Sequence, residues 1–229
     1  MTFSSLKKVV LILFCGLIFQ EVQAQRSEVG FGLGTFTYTG DLVRNYNFRF
    51  SKPAATVFYR ANINRVVSFR TSITAGKIGA SEKPIDPFAA QRNASFNLFL
   101  LEASGVAEYH FLNWRETKRF VRFTPYAFAG LGLFGFSGNI QKTKEYSNVQ
   151  FAVPFGVGLK YVYNPKWYFS LEAGVRKTFF DYLDNVSEGD ISSKNYQSGN
   201  PNDNDSYYFV GITVTRAFYD IPCPKNPYK

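Results

Sequence analysis

Residues 150–163 read QFAVPFGVGLKYVY, and every second position of this stretch holds an apolar side chain. These positions are Phe151, Val153, Phe155, Val157, Leu159, Tyr161 and Tyr163. Side chains alternate between the two faces of a β-strand, so the pattern predicts a strand with one continuously apolar face. A tilted strand of roughly ten residues crosses a bilayer, and this stretch is longer than that.

The same alternation recurs along the chain and predicts eight strands. Their approximate bounds are 28–39, 54–62, 66–78, 95–111, 122–137, 150–163, 167–182 and 206–219. No stretch after residue 24 carries the sustained apolar period of about 3.6 residues that indicates a helix. The chain is therefore predicted to be all-β.

The connections between these strands alternate between long and short. The long ones are 40–53, 79–94, 138–149 and 183–205; the short ones are 62–65 and 164–166, with a longer, basic one at 112–121. Outer-membrane barrels combine long extracellular loops with short periplasmic turns. In lipid, only a closed barrel lets a sheet satisfy every backbone group. We therefore predict an eight-stranded antiparallel transmembrane β-barrel of the outer-membrane (OmpA-like) type, with both termini in the periplasm.

A soluble sandwich or lipocalin-like fold is the alternative. It predicts strands of about five or six residues with apolar side chains pointing inward. The long strands, with Glu and Arg opposite their apolar faces, favour the membrane barrel.

The first 24 residues have the pattern of a secretory signal peptide. Lys7 and Lys8 precede an apolar run at 9–19, and Val22-Gln23-Ala24 is a small-residue cleavage site. The run is too short for an uncleaved membrane anchor, and a lipoprotein modified at Cys15 would need a small residue in place of Phe14. The predicted organisation is a signal peptide at 1–24, a barrel at 25–219 and a periplasmic tail at 220–229.

The charge of the chain restricts its partners. It carries 26 basic and 17 acidic residues, a net charge of +9. The basic residues form no dense run and the chain is predicted to be exported, so a nucleic acid partner is not expected. We expect contact with outer-membrane lipid or lipopolysaccharide instead.

Aromatic residues make up 18% of the chain and are predicted to form two belts at the membrane interfaces. The outer belt is Phe36, Tyr38, Phe134, Phe136, Phe179, Phe180, Tyr207 and Tyr208. The periplasmic belt is Tyr109, Phe111, Tyr161, Tyr163, Trp167, Phe218 and Tyr219.

Charged side chains are predicted to point into the lumen. They are Arg60, Arg70, Glu102, Glu108, Lys160, Glu172 and Arg176. Eight strands leave an interior just wide enough for side chains to fill, so charges of both signs should pair there. A salt-bridged plug is favoured over a conducting pore.

No pattern indicates catalysis, a metal or a cofactor. His110 is the only histidine and is predicted at the periplasmic end of the fourth strand, whereas a barrel hydrolase needs a base beside a nucleophile. The stretch GLGLFG at 130–135 matches a dinucleotide-binding pattern, but a turn rather than a helix follows it. We therefore expect a protein that is not an enzyme.

The tail contains Cys223, the one cysteine left after cleavage of the signal peptide. An odd cysteine in an exported protein indicates an intermolecular disulfide or a free thiol. Pro222 and Pro224 flank it and keep the tail extended. A docking element and a frayed terminus are both compatible with these residues.

Five stretches carry a family resemblance. They are YTGDL at 38–42, RFTPYAFAGLG at 122–132, FAVPFGVGLKY at 151–161, TFFDYLDNVS at 178–187 and the Cys223-Pro224 tail. With these, essentially the whole mature chain resembles the PorG-like family of outer-membrane barrels of the type IX secretion system.

The resemblance implies a scaffold that ties secretion machinery to the membrane by contacting a periplasmic ring of PorK and PorN. We expect docking through the second periplasmic turn and the tail, with contacts at Arg115, Lys118, Arg119, Arg122, Pro222, Cys223 and Pro224. Cys223 would form a disulfide with a ring subunit. The alternative is a free-standing barrel that stabilises the envelope or binds ligands.

Overall fold

The computed structural model describes residues 26–39, 47–64, 66–81, 95–112, 122–138, 147–179 and 206–218. They form one closed barrel in which each strand pairs antiparallel with its neighbours in the chain and β1 pairs with β8. The strands are β1 Arg26–Thr39, β2 Lys52–Asn62, β3 Val67–Ser81, β4 Ser95–His110, β5 Phe123–Ser137, β6 Val149–Val162, β7 Trp167–Thr178 and β8 Ser206–Phe218. The predicted fold class is confirmed. The predicted signal peptide and the 220–229 tail lie outside the described residues.

The two ends of the barrel differ in their connections. At one end, called the short-turn end, residues 63–66 join β2 to β3 and residues 163–166 join β6 to β7; β1 begins and β8 ends there. The third connection at this end, 111–122, is as long as the 40–51 connection at the opposite end, called the loop end. A short 3-10 helix, Phe48–Phe50, precedes β2, and no helix among the described residues is long and apolar enough to cross a membrane.

An asparagine organises each of the two tight turns. The Asn64 side-chain oxygen accepts hydrogen bonds from the backbone N–H groups of Val66 and Val67, at 2.9 and 2.7 Å. The Asn164 oxygen does the same for Lys166 and Trp167, at 2.9 and 2.8 Å. Asn side chains favour such turns because they supply an acceptor where the strand ladder has ended.

The outward faces of the strands are apolar and exposed. Leu131 is 70% exposed, Phe151 67% and Ile212 61%. Eight charged side chains point the other way and are buried: Glu28, Arg60, Arg70, Glu102, Glu108, Lys160, Glu172 and Arg176. This arrangement is the reverse of a water-soluble protein and is typical of a transmembrane barrel, whose outer surface faces lipid.

The interior of the barrel near the loop end is filled by apolar side chains. This cluster comprises Phe36, Tyr38, Ala54, Ile78, Ala80, Phe96, Leu98, Leu100, Phe134, Phe136, Ala152, Tyr207 and Phe209. The prediction of an outer aromatic belt is therefore wrong for Phe36, Tyr38, Phe134, Phe136 and Tyr207, which are at most 7% exposed. Strand alternation puts Phe36 and Tyr38 on the same face as Glu28, so their interior position follows from the period of two.

The described members of the periplasmic belt are all exposed near the short-turn end: Tyr109, Phe111, Tyr161, Tyr163, Trp167 and Phe218. Of the remaining outer-belt residues, Phe179 is exposed and Tyr208 is half-buried. Phe180 of the outer belt and Tyr219 of the periplasmic belt lie outside the described residues. The exterior aromatic girdle is thus concentrated at the short-turn end.

Aromatic rings inside the barrel lie against glycines on the neighbouring strand. Gly158 is opposite Tyr126 in the β5–β6 register, and a Cβ on Gly158 would lie 2.3 Å from the Tyr126 ring. Gly30 is related to Phe58 in the same way, at 2.2 Å. Glycine is needed at both positions because the ring occupies the space of a side chain.

Candidate functional site: the charged lumen and the short-turn end

Among the described residues, the lumen buries as many basic as acidic side chains. The basic ones are Arg60, Arg70, Lys160 and Arg176, and the acidic ones are Glu28, Glu102, Glu108 and Glu172. Each is at most 4% exposed, so none is solvated as it would be at a surface. A buried charge is tolerated only when it is paired, and equal numbers of the two signs allow complete pairing.

Arg60 on β2 joins two carboxylates. Its Nη1 donates to Glu28 Oε2 at 2.7 Å, and its Nη2 donates to Glu108 Oε1 at 3.1 Å. Its Nε lies 2.7 Å from Glu108 Oε2. The planar guanidinium group suits this task because it offers several donors in a rigid fork.

Arg70 on β3 extends the network across the lumen. Its Nε lies 2.8 Å from Glu108 Oε1, and its Nη1 lies 2.7 Å from Glu172 Oε2. Tyr126 donates its hydroxyl proton to the same Glu172 oxygen at 3.1 Å. The chain of contacts thus runs from β2 and β3 to β5 and β7, on the far side of the barrel.

Lys160 closes the network from β6. Its Nζ donates to Glu28 Oε2 at 3.2 Å, while Asn62 donates to Glu28 Oε1 at 2.8 Å. Ser68 in turn donates to the Asn62 amide oxygen at 2.7 Å. Both oxygens of the Glu28 carboxylate are therefore satisfied, as a buried carboxylate requires.

A smaller group lies nearer the loop end. Arg176 Nε is 3.4 Å from Glu102 Oε2, and the Tyr207 hydroxyl donates to that oxygen at 2.7 Å. Arg176 Nη1 also donates to the Gly174 carbonyl at 3.2 Å. Tyr207 belongs to the apolar cluster, so this group joins the charged and apolar parts of the lumen.

Aromatic rings fill the space around the charges. The guanidinium groups of Arg60 and Arg70 lie 5.0 and 5.4 Å from the centre of the Phe58 ring, and Arg70 lies 5.2 Å from that of Phe128. Such cation–π contacts add attraction and exclude water. Side chains therefore fill the part of the lumen around Arg60 and Arg70.

The seven lumen residues predicted from the sequence all lie inside the barrel and contribute to these contacts. The sequence prediction omits Glu28 and His110, although His110 Nε2 is 3.6 Å from Glu108 and Glu28 pairs with two bases. The signal for Glu28 was present, because it shares the inward face of β1 with Gly30 and Gly32.

Of the predicted docking residues, the structure describes Arg122. Arg122 is exposed directly before β5. Arg115, Lys118 and Arg119 and the tail residues Pro222, Cys223 and Pro224 are outside the described residues. In the part of the chain that the structure describes, no group of His, Cys, Asp and Glu side chains is placed to hold a metal ion.

Comparison with known proteins identifies both a family and a fold. The family described as "Domain of unknown function (DUF6089)" matches residues 7–226. No curated protein matches the chain in sequence.

Among solved structures, Neisserial surface protein A (NspA) is 13% identical, with a TM-score of 0.53, covering 84% of this chain and 97% of its own. A major outer membrane protein from Thermus thermophilus is 13% identical, with a TM-score of 0.49 and coverage of 84% and 99%. OprG from Pseudomonas aeruginosa is 8% identical, with a TM-score of 0.49 and coverage of 86% and 96%. At these identities, the likeness to NspA concerns the fold alone.

Proposed function

We propose that this chain, which belongs to the DUF6089 family, is a non-catalytic outer-membrane barrel. In this proposal, the barrel anchors the type IX secretion machinery. It would do so by docking a periplasmic ring of PorK- and PorN-like proteins. A cleaved signal peptide at 1–24 would export the chain, and both termini would lie in the periplasm.

The closed lumen is the observation that carries this proposal. Arg60, Arg70 and Glu108 cross the interior with contacts of 2.7 to 3.1 Å, and aromatic rings pack against them. An eight-stranded barrel has no room for an aqueous channel beside such side chains. A role for the protein must then depend on its surfaces rather than on passage through it.

The apolar outer wall supports a membrane location. Exposed side chains such as Leu131, Phe151 and Ile212 would be costly in water and are stable against lipid acyl chains. The fold shared with NspA, a neisserial surface protein, agrees with placement in an outer membrane.

The short-turn end supports a docking role. Arg122 is exposed there, and the sequence places Arg115, Lys118 and Arg119 in the same connection. The stretches 122–132 and 151–161, which carry much of the resemblance to PorG-like barrels, lie mostly in the adjacent strands β5 and β6. These strands contribute Tyr126 and Lys160 to the lumen network. A basic turn and a tail with one cysteine would offer a charged and a covalent attachment.

The test is purification from native membranes under non-reducing conditions with free thiols blocked. We expect a reducible adduct and co-purifying ring proteins with the wild-type chain, and loss of the adduct in the Cys223→Ser variant. Cys15→Ser is the matched control, because removal of the signal peptide would make it silent.

A second pair of variants separates the turn from general charge effects. Arg115→Glu combined with Arg119→Glu should reduce co-purification, whereas Lys142→Glu combined with Lys144→Glu, in the loop-end connection after β5, should not. A wild-type protein that runs alone, with normal secretion in the Cys223→Ser strain, would instead favour a free-standing barrel that stabilises the envelope or binds ligands.

A further inference from the structure

Arg216 is a charged side chain on the lipid-facing wall. Its strand neighbours Thr215 and Ala217 point into the barrel, whereas Arg216 is exposed outward. In the short-turn half of the barrel, the outward faces of the described strand residues carry no second charged side chain. A charge on this face is tolerated near a membrane interface but not at the bilayer centre.

Two aromatic rings hold the Arg216 side chain. Its guanidinium carbon lies 5.9 Å from the centre of the Trp167 ring and 5.5 Å from that of Phe218. Trp167 is also its partner in the β7–β8 register. Tryptophan prefers the headgroup level of a membrane, so this trio marks the interface at the short-turn end.

A groove of about 1050 Å³ begins at this trio and crosses the outer wall. One row of its lining follows the strand register from Arg216 to Val29, Tyr59, Thr71 and Gly105. A parallel row, two residues further along each strand, consists of Val214, Phe31, Val57, Ile73 and Ala103. Apart from the hydroxyl-bearing Tyr59 and Thr71, the two rows are apolar beyond the end where Arg216 lies.

The groove runs from the short-turn end towards the middle of the barrel wall. Arg216 is two residues from the short-turn end of β8, which ends at Phe218, whereas Gly105 is five residues from the end of β4 at His110. The row crosses four strand spacings of about 4.8 Å each, or about 19 Å. One leaflet contributes about 15 Å of hydrocarbon, so an oblique path of this length fits an acyl chain that crosses a leaflet.

We propose that this groove binds one glycerophospholipid of the periplasmic leaflet, with its phosphate on Arg216 and an acyl chain along the two rows. The guanidinium group pairs with phosphate through two parallel hydrogen bonds, and Trp167 and Phe218 keep it at headgroup depth. Thr71, Ala103 and Gly105 form a low floor for the chain. The choice of leaflet rests on the proposed orientation of the barrel, and the phosphate site rests on geometry alone.

The test is native mass spectrometry of the purified, full mature protein in a nonionic detergent, titrated with dioleoyl phosphatidylglycerol. We expect one tightly bound lipid, bound about fivefold more weakly by the Arg216→Gln variant, as expected for loss of one basic contact at a membrane surface. Arg216→Lys should restore much of the affinity. Lys166→Gln, which removes a charge from the adjacent turn, is the matched control and should bind like the wild type.

Two further arms test the groove and the identity of the lipid. Ala103→Phe should weaken binding of phosphatidylglycerol without any change of charge. Diacylglycerol with the same chains lacks the phosphate, so its affinity for the wild type should be no higher than the affinity of phosphatidylglycerol for Arg216→Gln. The difference in electrophoretic mobility between unboiled and boiled samples checks that every variant is folded.

Equal affinities of Arg216→Gln and Lys166→Gln, or wild-type preference for lipid A over phosphatidylglycerol, would overturn the assignment. The binding measurement uses the barrel without secretion partners. A negative result would therefore not contradict the docking proposal, and a failure to find docking would not contradict the lipid site.

Discussion

Glu108 lies between two guanidinium groups in the middle of the lumen network. Its carboxylate oxygens are 2.7 Å from Arg60 and 2.8 Å from Arg70, and all three side chains are buried. Attraction between such charges offsets the cost of removing them from water only while every partner is present. The stability of the barrel should therefore be sensitive to single changes at this residue.

We predict that Glu108→Gln lowers the free energy of unfolding by about 3–5 kcal/mol, because it leaves two arginines with one fewer buried counter-charge. Urea unfolding of the barrel in lipid vesicles, followed by tryptophan fluorescence, measures this. Lys77→Gln, on the exposed face of β3, is the control and should change stability by less than about 0.5 kcal/mol. Similar values for the two variants would show that the network contributes little.

The partners of Glu108 could not have been predicted from the sequence. The period of two places Glu108, Arg60 and Arg70 on inward faces, and the prediction of a charged lumen used only that period. Which base meets which acid depends on the registers Arg60↔Arg70 and Ser68↔Glu108, and a shift of two residues would preserve every face while changing every pair.

The strands and the turns between them differ in how much they reveal locally. Seven predicted strands match the structure to within a few residues at either end, but β7 ends at Thr178 rather than at 182. The aromatic run that follows Thr178 resembles a continuing strand, yet Phe179 lies in a bend and is 70% exposed. Hydrophobic alternation alone cannot indicate where a strand loses its pairing partner.

The tight turns contribute to register through their asparagines. We predict that Asn164→Ala lowers the free energy of unfolding by about 1 kcal/mol, because the N–H groups of Lys166 and Trp167 lose their side-chain acceptor. Asn164→Asp keeps an oxygen at that position and should retain most of the stability. The midpoint of urea unfolding is the measurement.

Asn148→Ala is the matched control for this turn, since the described hydrogen bond of Asn148 uses its backbone carbonyl. An Asn164→Ala variant as stable as the control would show that Pro165 and the strand pairing hold the turn without the side chain.

At the scale of the whole molecule, the barrel is polarised along its axis. Charged side chains fill the lumen towards the short-turn end, and an apolar cluster fills it towards the loop end. On the outside, the aromatic girdle and Arg216 also lie at the short-turn end. The two ends of the molecule therefore have different chemistry, as expected if they face different compartments.

Labelling of single cysteines tests which end faces outward. In a Cys223→Ser background, we predict that a membrane-impermeant maleimide labels Ser192→Cys, in the connection 179–205, on intact cells. The Lys166→Cys variant, in a tight turn, should be labelled only after lysis. The unsubstituted Cys223→Ser protein controls for background, and the reverse pattern of labelling would contradict the proposed orientation.

The sequence by itself determined the all-β class, the number of strands and the face on which each side chain lies, because strand alternation is a local property of the chain. Tertiary structure alone decided the pairing of Glu28 with Arg60 and Lys160, the packing of Phe36 against Tyr207 and Phe209, and the row from Arg216 to Gly105. Each of these depends on the register between strands and on the closure of β1 against β8. Closure sets the stagger of all strands together, so the spacing of residues within any single strand cannot reveal it.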